Sequence, residues 1–116
     1  MVDELVSVPE RGDFIWADLD TADRQGHEQK GIRPALIVSG RDFNRILGLA
    51  IVCPVTTEGK GYPFEVDIPS GLNVEGFILT DQIRAIDWRT RRVQVVAHAP
   101  DELLKRVLVV VRSFFA

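Results

Sequence analysis

Between residues 13 and 98 the chain never holds one hydrophobic period for long, and this constrains its fold more than any other feature. The apolar runs are short, rich in β-branched and aromatic residues, and cut at close intervals by glycine or proline. Phe14 to Leu19, Ala35 to Ser39, Leu49 to Cys53, Tyr62 to Ile68, Gly76 to Thr80, Ile83 to Trp88 and Arg92 to Ala97 all have the length and composition of strands. Gly12-Asp13 and Pro69-Ser70-Gly71 are turn signals, and Pro54 is expected to end the third run. Ala35 to Ser39 does not alternate, as befits a strand buried on both faces. In Tyr62 to Ile68, Phe64 and Val66 alternate with Glu65 and Asp67, predicting a half-exposed strand.

Two segments change period. Phe43, Ile46 and Leu47 recur at helical spacing, which predicts a short helix over 41–47 closed by Gly48. Beyond Pro100, Leu103, Leu104, Val107, Leu108, Val111, Phe114 and Phe115 recur at steps of three and four, the pattern of one helix face. Pro100 suits the first helical position, Asp101 and Glu102 the positive N-terminal end, and Arg112 the other end. The valines from 109 to 111 work against the helix, because β-branching costs a few tenths of a kcal/mol, about 0.3–0.7 each. Short strands, tight turns and one terminal helix predict a mainly β fold, a small antiparallel barrel or curled sheet.

A chain of 116 residues can bury one core but not two, so a single domain spanning 1–116 is expected. The longest apolar runs, Leu47 to Val55 and Val107 to Val111, are too short to span a bilayer, and no signal peptide is visible. Cytoplasmic placement with no membrane contact follows as the expectation. Cys53 is the one cysteine, and it reads as a small buried hydrophobe within a strand. With only His27 and His98 beside it, a structural zinc set is not expected, and no cofactor is implied. The net charge of −3 argues against indiscriminate nucleic-acid binding. The charge is uneven, however. Residues 1–23 carry seven acids against Arg11, while 24–45 carry Arg24, Lys30, Arg33, Arg41 and Arg45, and 82–98 carry Arg84, Arg89, Arg91 and Arg92. Such basic segments serve either as solvated faces or as a short polyanion footprint.

The densest chemistry lies in Gly26-His27-Glu28-Gln29-Lys30-Gly31-Ile32-Arg33-Pro34. An imidazole, a carboxylate, an amide, an ammonium and a guanidinium sit at the lip of an apolar strand, where functional loops tend to be placed. A solvated turn is the competing reading from these residues alone. Pro34 disfavours the helical region for Arg33 and so should hold it extended. A second polar loop, Thr56-Thr57-Glu58-Gly59-Lys60-Gly61, follows the third strand. Nucleophile elbows, phosphate loops and dinucleotide fingerprints are absent from the sequence.

If the two loops converge, an arginine, a threonine and a carboxylate would suit phosphodiester chemistry. The guanidinium can hold a phosphate and stabilise charge on its non-bridging oxygens, and the hydroxyl can donate another hydrogen bond. A carboxylate or imidazole can move a proton. On RNA the substrate's own 2′-hydroxyl can be the nucleophile. Thr56 could equally satisfy turn backbone groups, and Asp81-Gln82 is either a turn or a substrate contact. Trp16 and Trp88 fit the core or a dimer interface better than base stacking.

Five stretches in order, Gly12-Asp13-Phe14-Ile15-Trp16, Gly26 to Gln29 with Arg33-Pro34-Ala35-Leu36, Cys53-Pro54-Val55-Thr56-Thr57, Lys60-Gly61-Tyr62-Pro63-Phe64-Glu65-Val66 and Asp81-Gln82, resemble the MazF/PemK toxins of bacterial toxin–antitoxin systems. The helix start Ala99-Pro100-Asp101-Glu102-Leu103 extends the resemblance over nearly the whole chain. It implies an SH3-like barrel with a C-terminal helix and a homodimer. It also implies a ribosome-independent, metal-independent endoribonuclease that cuts single-stranded RNA at a short motif, leaving a 2′,3′-cyclic phosphate and a 5′-hydroxyl. By the same resemblance, Arg33 and Thr56 are the catalytic pair, supported by Glu28. His27, Gln29, Thr57, Lys60, Asp81, Gln82 and Arg84 are the expected substrate contacts. A MazE-like antitoxin with an acidic tail is the implied inhibitor.

One branch of the family uses an arginine two residues before the Asp-Gln pair as its acid. Leu79 stands there in this chain, which favours the Arg33/Thr56 mechanism. A toxin of the same fold acting by protein binding, as the CcdB gyrase poisons do, is the alternative. It would not need the Arg33/Thr56 pair.

Overall fold

The computed structural model describes residues 7–19, 32–91 and 93–116. Among these the elements are β1 (Asp13–Asp18), β2 (Ile32–Ile37), α1 (Arg41–Leu47), β3 (Leu49–Thr56), β4 (Glu65–Asp67), β5 (Phe77–Leu79), a 3₁₀ turn (Thr80–Gln82), β6 (Arg84–Asp87), β7 (Gln94–His98) and α2 (Asp101–Ser113). All strand pairs are antiparallel. The hydrogen-bonded order is β4-β5-β3-β2-β1-β7, with β6 also on β3. The predicted barrel is therefore present as an open one, with β4 and β7 at opposite ends of the path.

Alternation along the strands feeds two cores. Phe14, Leu36, Cys53 and Val55 point to a cluster completed by Ile78 and by Leu103, Val107 and Val111 of α2. Ile15, Ala17, Ala35, Ile37, Ala50 and Val52 point the other way, onto Ile86 and Trp88. This is why Ala35 to Val38 reads as an unbroken apolar run: both faces of β2 are covered. α2 forms despite its valines, because tertiary burial of an apolar stripe outweighs propensity.

Several boundaries differ from expectation for identifiable reasons. β3 does not stop at Pro54 but runs on to Thr56. Its partner on one side is β6 over Leu49 to Val52 and β5 over Val55 and Thr56, so Pro54 falls in the gap between two partners. A proline's missing donor is tolerated at such a discontinuity. β4 covers only Glu65–Asp67, because Glu65 N donates to Tyr62 O at 3.1 Å and closes a turn over Pro63 and Phe64. Phe64 does not share the buried face of Val66. Its ring instead meets Phe114 edge-on, with centroids 5.4 Å apart. Pro100 caps α2 with extended backbone rather than entering its first turn. Phe115 lies beyond the helix and is 80% exposed, so it does not join the apolar stripe.

α1 has the predicted bounds, and Gly48 closes it at φ 69°. Its predicted apolar face is inverted, however. Phe43, Ile46 and Leu47 are exposed, and the buried residue is Asn44. The Asn44 amide donates to Pro9 O at 2.8 Å and to Ser39 O at 3.3 Å, and its carbonyl oxygen accepts from the Ser39 hydroxyl. Trp88 Nε1 donates to the Asn44 backbone carbonyl at 2.9 Å. The side-chain amide thus joins the N-terminal segment to the β2–α1 turn, and the backbone carbonyl of the same residue ties in the second core. Asn44→Ala would leave the Pro9 carbonyl and the Ser39 groups without these partners, while the Trp88 bond to the backbone carbonyl remains. Urea unfolding should show a loss of about 2–4 kcal/mol, in line with about 1–3 kcal/mol for each orphaned polar group.

Candidate functional site

Arg33 and Thr56 each lie two residues past the last pair of the β2–β3 ladder, on strands that the ladder aligns. The pairs Ala35–Pro54, Leu36–Cys53 and Ile37–Val52 define its register. Continued two residues further, the same register sets Arg33 opposite Thr56, both still within their strands. Positions that share a register on antiparallel strands share a face. Both side chains line one open cleft of about 510 Å³, together with Trp16, Pro34, Thr57, Glu58, Asn73 and Glu75. Arg33 is extended, as its proline neighbour requires, and is held in place by pairing with Ala17 of β1.

Thr56 is positioned from two directions. Its Oγ1 accepts a hydrogen bond from Glu58 N at 3.1 Å, so the hydroxyl's own proton remains available for donation into the cleft. Gly76, at φ 121°, lies against its backbone: a Cβ there would stand 2.2 Å from Thr56 O and 3.2 Å from Thr57 Cα. Only glycine lets β5 approach β3 this closely.

The other sequence-predicted residues separate into groups. His27, Glu28 and Gln29 lie outside the described residues, as does the rest of 20–31. Thr57 lines the cleft, whereas Lys60 sits exposed on the loop beyond it. Asp81 and Gln82 are exposed on the 3₁₀ turn and are not among the cleft-lining residues. Arg84 Nη2 donates to Leu19 O at 2.6 Å, and Arg91 Nη1 donates to Asp18 O at 2.9 Å. Arg89 lies over the Trp88 ring at 5.0 Å. This basic segment therefore braces the end of β1, where the segment carrying His27 to Gln29 begins.

Trp88 is 3% exposed and belongs to the core, whereas Trp16 is 36% exposed and forms cleft wall. Asn73, Glu58 and Glu75 were not anticipated as cleft residues. Glu58 lies on the second polar loop, between residues that were expected there, whereas Asn73 and Glu75 arrive on a loop whose spatial position carries no signature in the sequence.

The chain belongs to the PemK-like, MazF-like toxin family of type II toxin–antitoxin systems, whose model matches residues 10–115. It is 43% identical to the endoribonuclease toxin MazF of Escherichia coli strain K12 over 97 residues, covering 83% of this chain and 85% of that one. It is 36% identical to the Escherichia coli endoribonuclease PemK, covering 85% and 76% of the two chains. The crystal structure of a MazE–MazF complex from Deinococcus radiodurans superposes with a TM-score of 0.86 at 42% identity, covering 95% of this chain and 97% of that one.

Within this MazF-like frame Cys53 is ruled out as a nucleophile. The residue is fully buried, and its thiol is pushed up from 9.0 to about 12, chiefly by burial and secondarily by the negative charge of Asp81. An unfolded thiol ionises near 9.0 while the folded one keeps its proton. Its contribution to stability is thus complete below pH 9.0 and lost as pH rises toward about 12. Between about pH 8 and ~10.5, wild type should lose about 2 kcal/mol more stability than Cys53→Ala loses over the same interval. Urea titrations at the two pH values check this.

Proposed function

We propose that the chain is a sequence-specific, ribosome-independent endoribonuclease that cleaves single-stranded RNA and is restrained by a MazE-like antitoxin. The observation that carries this reading is the convergence of Arg33 and Thr56 in one cleft through the β2–β3 register. The 2′-oxygen of the RNA attacks the adjacent phosphorus and loses its proton as the new O–P bond forms. The bond from phosphorus to the 5′-oxygen breaks, and that oxygen takes up a proton. The products are a 2′,3′-cyclic phosphate and a 5′-hydroxyl, with no metal required. The Arg33 guanidinium holds the non-bridging oxygens as negative charge concentrates there, and the Thr56 hydroxyl donates a further hydrogen bond. Glu28 supports the chemistry, and His27, Gln29, Thr57, Lys60, Asp81, Gln82 and Arg84 contact substrate. Trp16, exposed on the cleft wall, offers a face on which a base can stack.

The proposed working form is a cytoplasmic homodimer, with the acidic antitoxin tail competing for the RNA cleft. The exposed Phe43, Ile46 and Leu47 of α1 support a face buried by a second copy. Of the described helices, none is long and apolar enough to cross a membrane.

Purified protein mixed with a single-stranded RNA pool and EDTA should generate cyclic-phosphate ends at one short motif. Arg33→Ala and Thr56→Ala should each slow cleavage by about 10²–10³, the usual cost of removing a donor to a developing oxyanion. Absence of cleavage, or cleavage untouched by both substitutions, overturns the reading. Gly76→Ala should also depress cleavage, by displacing the Thr56 backbone. A folded Gly76→Ala protein with full activity would show that this close approach does not set the position of Thr56.

A further inference from the structure

The Thr56–Glu65 connection carries two of the proposed substrate contacts on eight exposed residues, 57–64. Two glycines within such a loop raise the entropy cost of holding it in one shape. It is nonetheless tied down at both ends. Near β3, Glu58 N donates to Thr56 Oγ1, and Gly59 lies against the Phe77 ring, so close that a Cβ would stand 2.6 Å from it. At the other end the Glu65 carboxylate accepts three backbone bonds: Lys60 N to Oε1 and Oε2 at 3.0 and 2.9 Å, and Gly61 N to Oε1 at 3.0 Å. Gly61 has φ 80°, a left-handed conformation that favours glycine as the chain leaves this pair of N–H groups.

We infer that Glu65 is a positioning residue for RNA binding, its carboxylate filling the Lys60–Gly61 backbone nest and so aiming the Lys60 ammonium at an RNA phosphate. This rests on the endoribonuclease reading of the same site. Glu65 reaches the substrate only through the loop and is not itself catalytic. Its own anchorage is firm: it begins β4 opposite Leu79, and the preceding Phe64 carbonyl accepts from both Thr80 N and Thr80 Oγ1. Nothing in this clamp holds Thr56, which the β3–β5 pairing and Gly76 position separately. The clamp therefore governs substrate affinity more than the chemical step.

The sign of the expected effect is diagnostic. Glu65→Gln removes one negative charge beside a polyanion site, and long-range electrostatics alone would tighten RNA binding. Loss of the clamp loosens it.

Steady-state cleavage of a short single-stranded RNA by wild type, Glu65→Gln, Lys60→Ala and the double variant separates these effects. Backbone amide exchange by NMR, together with melting temperature, completes the set. Expected for Glu65→Gln are a KM several-fold higher, a kcat within about twofold, an unchanged melt, and lost protection confined to the Lys60 and Gly61 amides. In the Lys60→Ala background the same substitution should change KM no further, the non-additivity of residues acting as one unit. A KM that falls or stays constant, or an effect undiminished without Lys60, overturns the inference. If wild type cuts no RNA, the nuclease reading fails. The exchange data then still decide the clamp, since fast Lys60 and Gly61 exchange in wild type would overturn it.

Discussion

Everything that gives this molecule a site depends on the ladder between β2 and β3. Hydrogen-bonded pairing forces residues to face each other one for one, so the pairs from Ala35–Pro54 to Ile37–Val52 dictate what stands opposite Arg33. A slip of one residue would turn every side chain of β2 to the opposite face. It would also send Leu36 and Ile37 into each other's cores. Burial on both faces is therefore what makes the register unambiguous. The cleft inherits this certainty from the packing of the two cores.

β3 can serve as that ruler because it has partners along nearly all its length. β2 pairs with one side over Val52 to Pro54, while the other side is shared between β6 and β5 with Pro54 at the change of partner. Gly76 sets how near β5 comes at the Thr56 end. The arginines beyond β6 stabilise a different boundary. Arg84 and Arg91 hold the carbonyls of Leu19 and Asp18, so two of the arginines that read as a nucleic-acid footprint also brace the end of β1.

The site combines two kinds of rigidity. Arg33 and Thr56 sit on paired strands, where position follows from the ladder. Thr57 and Lys60 sit on a loop, where position must come from local hydrogen bonds, and the Thr56 hydroxyl and the Glu65 carboxylate supply them. Family membership agrees with this layout, since sequence likeness runs through both the strands and the connection.

The sequence by itself determined the elements that depend on local chemistry. Short apolar runs with turn residues marked the strands, Gly48 closed α1 at the predicted place, and the three- and four-residue spacing after Pro100 marked α2. Ordered motifs were enough to name the family and to single out Arg33 and Thr56. Only the tertiary structure decided which faces are buried and which distant groups meet. Asn44, rather than Phe43 or Ile46, turned inward because its amide finds partners at Pro9 and Ser39, far apart in sequence. Trp16 became cleft wall while Trp88 went to the core, a choice made by neighbours rather than by residue type. Glu58, Asn73 and Glu75 entered the cleft, and Glu65 turned from an outward strand residue into a loop anchor. Apart from the local Glu65 anchor, these outcomes depend on which distant parts of the chain become neighbours, and a linear pattern holds the period of a strand without the identity of what lies beside it.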